Sequence, residues 1–131
     1  MTRAILDGAA RYTAVDTFNA MYRLAELRRT AEQALAPFDG LAVPTAPIFP
    51  TLADLAADPI VPNSRLGTYT NFVNLLDLAA IAVPGPFRPD ALPAGLTLIG
   101  RTGSDHALVA LAERFFPRTG GAPTPVPGKE S

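Results

Sequence analysis

Acyl transfer needs a nucleophile and a neighbouring group that takes its proton. The sequence is poor in both. Ser64 and Ser104 are its internal serines, and His106 is its one histidine. Neither serine sits in a Gly-x-Ser-x-Gly turn. Ser104 stands where it would cap a helix, and His106 falls in the first turn of that helix, where a histidine is ordinarily a surface residue. There is no cysteine, so thiolate chemistry and disulfides are both excluded. One histidine without cysteine cannot build a structural zinc site of the usual kind. Asp54, Asp58, Asp77, Asp90 and Asp105 lack the spacing of a calcium loop. The glycines form neither GxxxxGK nor GxGxxG, so no phosphate loop is indicated. Nothing nominates the paired carboxylates of a glycosidase. The sequence therefore assigns no catalytic, cofactor-binding or metal-binding residue and implies no cofactor.

One segment does stand out: Asn63-Ser64-Arg65-Leu66-Gly67-Thr68-Tyr69-Thr70-Asn71. It gathers donors and acceptors beside an arginine and then enters an apolar stretch. Polar side chains at the entrance to a core usually close hydrogen bonds around a loop or pocket. Asn63, Arg65, Thr68, Tyr69 and Asn71 are the candidates for supporting a neighbouring site. The plainer alternative is that Thr70 or Asn71 caps a helix and Arg65 is solvated.

Several elements must position that segment. A short helix is expected over 4–10. A long helix is expected over 13–36, with Thr13 as cap and Asp16 three residues on, a loose capping box. Phe18, Met21, Leu24, Leu27, Ala31 and Leu35 form its apolar stripe. Pro37 and Asp39-Gly40 end it. A buried strand is expected at 41–44. Pro44, Pro47 and Pro50 then enforce an extended segment. Thr51 caps a short helix at 52–57, and 60–70 reads as a polar loop. Residues 71–78 read as a helix, 80–83 as a strand, 84–94 as a loop and 95–99 as a strand. A last helix runs over 105–116, with Leu108, Leu111, Ala112 and Phe115 as its stripe. The Pro- and Gly-rich residues 117–131 read as a disordered tail.

The order is helix, strand, helix, strand, strand, helix, an α/β arrangement. Strands that are apolar without alternation imply a sheet covered on both faces. Three strands make a thin sheet, with an edge left open unless something covers or pairs it. The 131 residues suffice for one small domain. The net charge of -1 draws the chain neither to nucleic acid nor to an anionic membrane. The apolar run at 78–84 is too short to span a bilayer, and the N-terminus has no signal-peptide pattern. A cytoplasmic protein is expected. Arginine outnumbers lysine ten to one, which looks like coding bias.

RYTAVDTFNAMYRLAELRR (11–29), FDGLAVPTAP (38–47), NSRLGTYTNFVNLLDLAAIAVP (63–84) and LPAGLTLIG (92–100) carry a resemblance. Together they resemble the C-terminal part of an amidase-signature domain and, within that family, the amidase domain of allophanate hydrolases. The resemblance covers about residues 5–116, so 1–116 reads as a partial amidase domain, incomplete on its own. NSRLGTYTNF is its specific part; VPTAP and LPxGLxLIG are shared more widely. The family fold implied is a large mixed sheet covered by helices. The family's catalytic lysine and two serines belong to a glycine- and serine-rich region upstream of everything in this sequence. Lys129 has no matching serines around it. The tyrosine and arginine that grip the substrate carboxylate in allophanate hydrolases also lie upstream, and Tyr12, Tyr69 and Arg65 do not replace them. The resemblance implies that the intact enzyme hydrolyses allophanate, a urea-derived carboxylate, to ammonia and carbon dioxide. This chain would be inactive alone. It would pair with an N-terminal amidase section, self-associate, or serve as a non-catalytic subunit or structural module.

Overall fold

The computed structural model describes residues 2–85, 87–90 and 92–115. The tail expected over 117–131 lies outside them. The elements are α1 (Thr2–Ala9), α2 (Ala14–Leu35), β1 (Leu41–Pro44), α3 (Leu52–Ala57), α4 (Val61–Leu66), α5 (Asn71–Leu75), β2 (Ala79–Pro84), β3 (Gly95–Gly100) and α6 (Asp105–Phe115). The reading of residues 60–70 needs correcting. Residues 60–70 are not simply a loop, because α4 occupies their first half. A polar helix carries no apolar period, so the periodicity that revealed the other helices is missing here.

The sheet has the order β1-β3-β2, and both described pairings are antiparallel. β3 is the centre. Its register with β1 runs from Leu41 opposite Ile99 to Pro44 opposite Leu96, and its register with β2 from Ala79 opposite Gly100 to Pro84 opposite Gly95. Directly opposed residues share a face. Ala79, Ile81, Val83, Leu96 and Leu98 therefore form one face, and α6 lies across it with Leu108 and Ala112 in the same cluster. Thr97 and Ile99 belong to the other face, and Ile99 is fully buried. The expected two-sided burial thus holds at β3, where consecutive residues from Thr97 to Gly100 are buried. It fades at the edges: β1 has no buried residue, and Ala80 and Ala82 of β2 are exposed.

Close approach between α6 and the sheet depends on Gly100. A Cβ there would collide with Ser104 Oγ and stand 3.1 Å from Leu108 Cδ2. Leu108 is 1% exposed and has no room to retreat. Ser104 itself does not cap α6 as expected. Its hydroxyl donates back to the Arg101 carbonyl at 2.6 Å, and among the described residues no α6 amide donates to it.

The capping box at Thr13 is complete. The Asp16 amide donates to Thr13 Oγ1, and Asp16 Oδ2 accepts from the Thr13 amide. Thr51 and Asp54 repeat it at α3. The α2 stripe, by contrast, is split. Leu24, Ala31 and Leu35 are half-buried together with Arg28, at spacings of four, three and four. Phe18, Met21 and Leu27 from the same stripe stay exposed, as does Tyr22, and no α2 residue is buried. The stripe's period is that of a helix, but the surface that would cover its N-terminal half is not among the described residues.

After α5 the chain closes in a Schellman turn. The Leu78 amide donates to the Val73 carbonyl at 2.9 Å and the Asp77 amide to the Asn74 carbonyl at 3.2 Å. Asp77 holds the left-handed position at φ 57°, a place that glycine fills without steric cost. These two tight points make opposite demands on stability. Asp77→Gly is expected to raise the thermal midpoint, with a gain of about 0.5–1 kcal/mol. Gly100→Ala is expected to lower it by about 1–3 kcal/mol, the usual scale of overpacking. Thermal and chemical denaturation of the two variants beside the parent chain checks both signs.

Candidate functional site

The five candidate residues sit on a small helical hairpin, α4–turn–α5. Its start is set by Asp58. Asp58 Oδ1 accepts from the amides of Ile60 at 2.8 Å and Val61 at 3.1 Å, and proline occupies the first turn of α4, where its missing donor costs nothing. These bonds, the Ile60 amide first and the Val61 amide second, hold the Asp58 carboxyl below the usual aspartate range.

Within the hairpin the polar groups bond locally. Asn63 Nδ2 donates to the Pro59 carbonyl at 2.7 Å. The Thr68 hydroxyl donates to the Arg65 carbonyl at 2.7 Å. The amides of Thr70 and Asn71 both reach the Gly67 carbonyl, at 3.0 and 2.8 Å. The Asn71 carboxamide fills the space where a Gly67 side chain would be, its Oδ1 overlapping that Cβ position. Gly67 is therefore what lets Asn71 fold back over the turn. Thr70 occupies the cap position of α5 without a side-chain cap bond, so the capping role weighed for it is absent.

Asn63, Arg65, Thr68, Tyr69 and Asn71 are all exposed. The fold brings Asn63 to Pro59, Thr68 to Arg65, and Asn71 to Gly67. Among the described residues, the Arg65 guanidinium, the Tyr69 hydroxyl and the Asn71 carboxamide have no hydrogen-bond partner. The hairpin is tied to the rest of the chain by backbone acceptors. Arg28 Nε donates to the Leu75 carbonyl at 3.2 Å, and the Thr102 hydroxyl donates to the Asp77 carbonyl. Arg28 and Asp58 are positioning residues that sequence reasoning missed. The signal for Asp58 was present: an aspartate just ahead of a segment with proline in its first turn is a helix start. Arg28 had no comparable signal, since a half-buried arginine on an amphipathic helix looks like a solvated one.

No catalytic constellation assembles elsewhere among the described residues. Ser64 and His106 are exposed, Ser104 Oγ bonds only to Arg101, and no group of three metal-ligating side chains comes together. The surface hollows beside Arg101 are open and shallow, the larger lined by Glu32, Arg101, Thr102, Gly103 and Ser104. No described helix is long and apolar enough to cross a membrane.

A pH dependence of the hairpin follows from Asp58. A carboxyl whose folded pKa is depressed contributes stability that is complete above its unfolded pKa, about 3.9. That contribution is lost as pH falls through the lower folded value. NMR titration is expected to show the Ile60 and Val61 amide signals moving together with Asp58 below pH about 3.9. In Asp58→Ala these amides show no such step and exchange faster at neutral pH.

Comparison with known proteins places the chain. Residues 1–109 match the amidase family. Urea amidolyase of Lachancea kluyveri is 49% identical over 113 residues, which are 86% of this chain and 6% of that protein. A structure of Kluyveromyces lactis allophanate hydrolase superposes with a TM-score of 0.81 at 49% identity, covering 86% of this chain and 18% of the other. A glutamyl-tRNA(Gln) amidotransferase structure from Thermotoga maritima superposes with a TM-score of 0.61 at 26% identity, covering 82% of this chain and 24% of the other. The chain thus spans under a quarter of the length of each. It belongs to the amidase family, and what it shares with the allophanate hydrolases is one section of a much longer protein.

Proposed function

We propose that this chain is the closing section of an allophanate-hydrolase-like amidase domain, shaping the substrate side of the active site without performing the chemistry. The carrying observation is a pairing of facts. The chain matches 18% of an allophanate hydrolase at 49% identity, yet its described serines and histidine form no nucleophile–base pair. The lysine and serines that the reaction needs come from a catalytic section, on the same polypeptide or on another. The substrate of the whole is allophanate, cleaved through an acyl-enzyme to ammonia and carbon dioxide. The cytoplasm is its proposed location, as the cysteine-free sequence leads one to expect.

Residues 1–116 act as one partial domain in this reading. The α4–α5 hairpin abuts the reacting centre. Asn63, Thr68 and Asn71 stiffen it through their local bonds, and Arg65 and Tyr69 offer their open polar heads to groups of the catalytic section. Preorganised donors of this kind need rigid backing, because small misplacements cost rate steeply.

Ammonia release tests the reading. The purified 131-residue chain is expected to release none from allophanate. Mixed with Kluyveromyces lactis allophanate hydrolase deleted of its matching section, it restores turnover. Arg65→Ala in that mixture lowers turnover at least about tenfold, a modest misplacement effect. Ammonia release by the chain alone would overturn the proposal, as would a mixture that associates without regaining activity.

A further inference from the structure

An aspartate followed by glycine carries an electrophile and a nucleophile in adjacent residues. The backbone nitrogen after the aspartate reaches its side-chain carboxyl carbon in a five-membered ring, and glycine puts no side chain in the way. The sequence has two such pairs, Asp7-Gly8 and Asp39-Gly40. The fold separates them. Gly8 lies within α1, where helical geometry engages its amide with the preceding turn. Asp39 and Gly40 lie between α2 and β1, in neither helix nor strand. The last bond on the α2 side runs from the Phe38 amide to the Leu35 carbonyl at 3.0 Å. On the β1 side the Thr45 amide donates to the Gly95 carbonyl. Bonded positions alternate in an antiparallel pair, so Leu41 and Val43 bond inward to β3 and Gly40 turns its amide away. Among the described residues the Asp39 and Gly40 amides donate to nothing, and the exposed Asp39 carboxylate accepts nothing.

Other aspartates are held back. The carboxylates of Asp16, Asp54 and Asp58 accept backbone amides, and that of Asp90 accepts the Arg88 guanidinium. Asp58 also precedes Pro59, whose nitrogen has no hydrogen to lose. Asp77 precedes Leu78, whose amide is donated to the Val73 carbonyl at 2.9 Å. The space around Gly40, meanwhile, is already taken on its inner side. A Cβ there would stand 3.1 Å from the Ile99 carbonyl oxygen and 3.4 Å from Leu108 Cδ2. Ile99 and Leu108 are fully buried, so chain added at this junction has no room toward the sheet or α6.

We infer that Asp39-Gly40 is a site of spontaneous backbone isomerisation, and that the change unseats the start of β1. It concerns the chain's own backbone, so its failure leaves the functional proposal standing. The Gly40 nitrogen attacks the carboxyl carbon of protonated Asp39. A C–N bond forms there, and the amide hydrogen and the carboxyl hydroxyl leave as water, giving a succinimide. Water then adds to the Asp39 main-chain carbonyl carbon, and the original peptide bond to Gly40 breaks. The product is isoaspartate: the chain now runs through the Asp39 side-chain carbons, and a carboxylate stands on the former backbone carbon. No atom is gained or lost overall, and nothing is oxidised or reduced. The main chain is longer by one methylene, about 1.5 Å. Gly40 cannot move inward, so the added length passes to Leu41, one of the two inward-bonding positions of β1. Its pairing with Ile99 is the first to go.

Peptide mapping of the full chain, stored in mildly acidic buffer and sampled over weeks, tests the site. A protease that cleaves before aspartate but not before isoaspartate marks the product, and mass spectrometry reads the succinimide as the loss of one water. In the folded chain, isoaspartate at position 39 is expected at no less than about a tenth of its rate in the same chain unfolded in urea, because an unbonded amide needs no opening step. Asp7 lags behind Asp39 in the folded chain and matches it in urea. In the aged fraction the Leu41 amide exchanges at least about tenfold faster than in fresh chain, while the Leu98 amide, which bonds toward β2, keeps its rate. Asp39→Glu, which closes only a slower six-membered ring, shows neither change. Retention of aspartate at position 39 in the folded chain while the unfolded chain isomerises overturns the site, as do equal folded-state rates at Asp7 and Asp39. Isoaspartate with an unchanged Leu41 rate overturns its effect on β1, as does the same Leu41 loss in aged Asp39→Glu.

Discussion

Backbone satisfaction in β3 is the constraint on which the rest of this structure depends. β3 alternates its bonds left and right, its inward partners being β1 on one side and β2 on the other. A buried peptide group without a partner loses more than a made bond gains. Thr97, Leu98 and Ile99, buried in succession, are therefore tolerable only because both flanking strands are present. Gly100 then admits α6 to the sheet, and Leu108 fills the space so left. Thr45 reinforces the entry on the other side, its hydroxyl 2.9 Å from that of Thr97. A small core of this kind is well made at its centre and meagre at its margins.

The margins are held by polar devices in place of apolar burial. Arg88 pairs with Asp90 through two hydrogen bonds of 3.1 and 2.8 Å and stacks 4.7 Å from the centre of the Phe49 ring. It thereby joins the proline-rich segment after β1 to the β2–β3 connection. Arg28 joins α2 to α5 through one carbonyl. Exposed contacts of this sort are individually worth about a kcal/mol or less. Covering Phe18, Met21 and Tyr22 would contribute about 1.5–3 kcal/mol for each side chain. The larger reserve lies in apolar surface still facing water, whereas the bonds already formed chiefly set the helix's direction.

Most of the fold was legible in the sequence because local rules and tertiary packing agree. Thr13 with Asp16 and Thr51 with Asp54 mark helix starts by side-chain geometry alone, and both boxes form. The runs around 41–44, 80–83 and 95–99 become strands because each is short, apolar and bounded by glycine or proline. Legibility failed where periodicity is not the cause of structure. α4 forms behind Asp58, whose carboxylate accepts the Ile60 and Val61 amides, and a proline in its first turn, with no apolar face to announce it. Ser104 lies where a cap belongs, yet its hydroxyl finds the Arg101 carbonyl first, a competition that short polar side chains often settle locally. The split of the α2 stripe was hidden for the opposite reason: the period is faithful, but a period reports that a face will be covered and not by what.

The candidate hairpin was legible in composition and not in geometry, and the reason bears on its role. Asn63 and Thr68 spend their polar groups on carbonyls within a few residues of themselves, and the Asn71 carboxamide packs over Gly67 without a described hydrogen bond. They thus fix the shape of the turn without reaching any other element. Arg65 and Tyr69 do neither. In a hairpin built only for stability, an arginine and a tyrosine beside so many local acceptors would be expected to join them, because each added bond gains about a kcal/mol. A hairpin shaped to meet something else has the opposite requirement: its scaffold must be satisfied internally, and its contact groups must stay available. The described side-chain bonds set Asn63 and Thr68 apart from Arg65 and Tyr69 along that line. Such a division is what a rigid support for a neighbouring site requires, since the rigidity then comes from groups that the neighbour does not disturb.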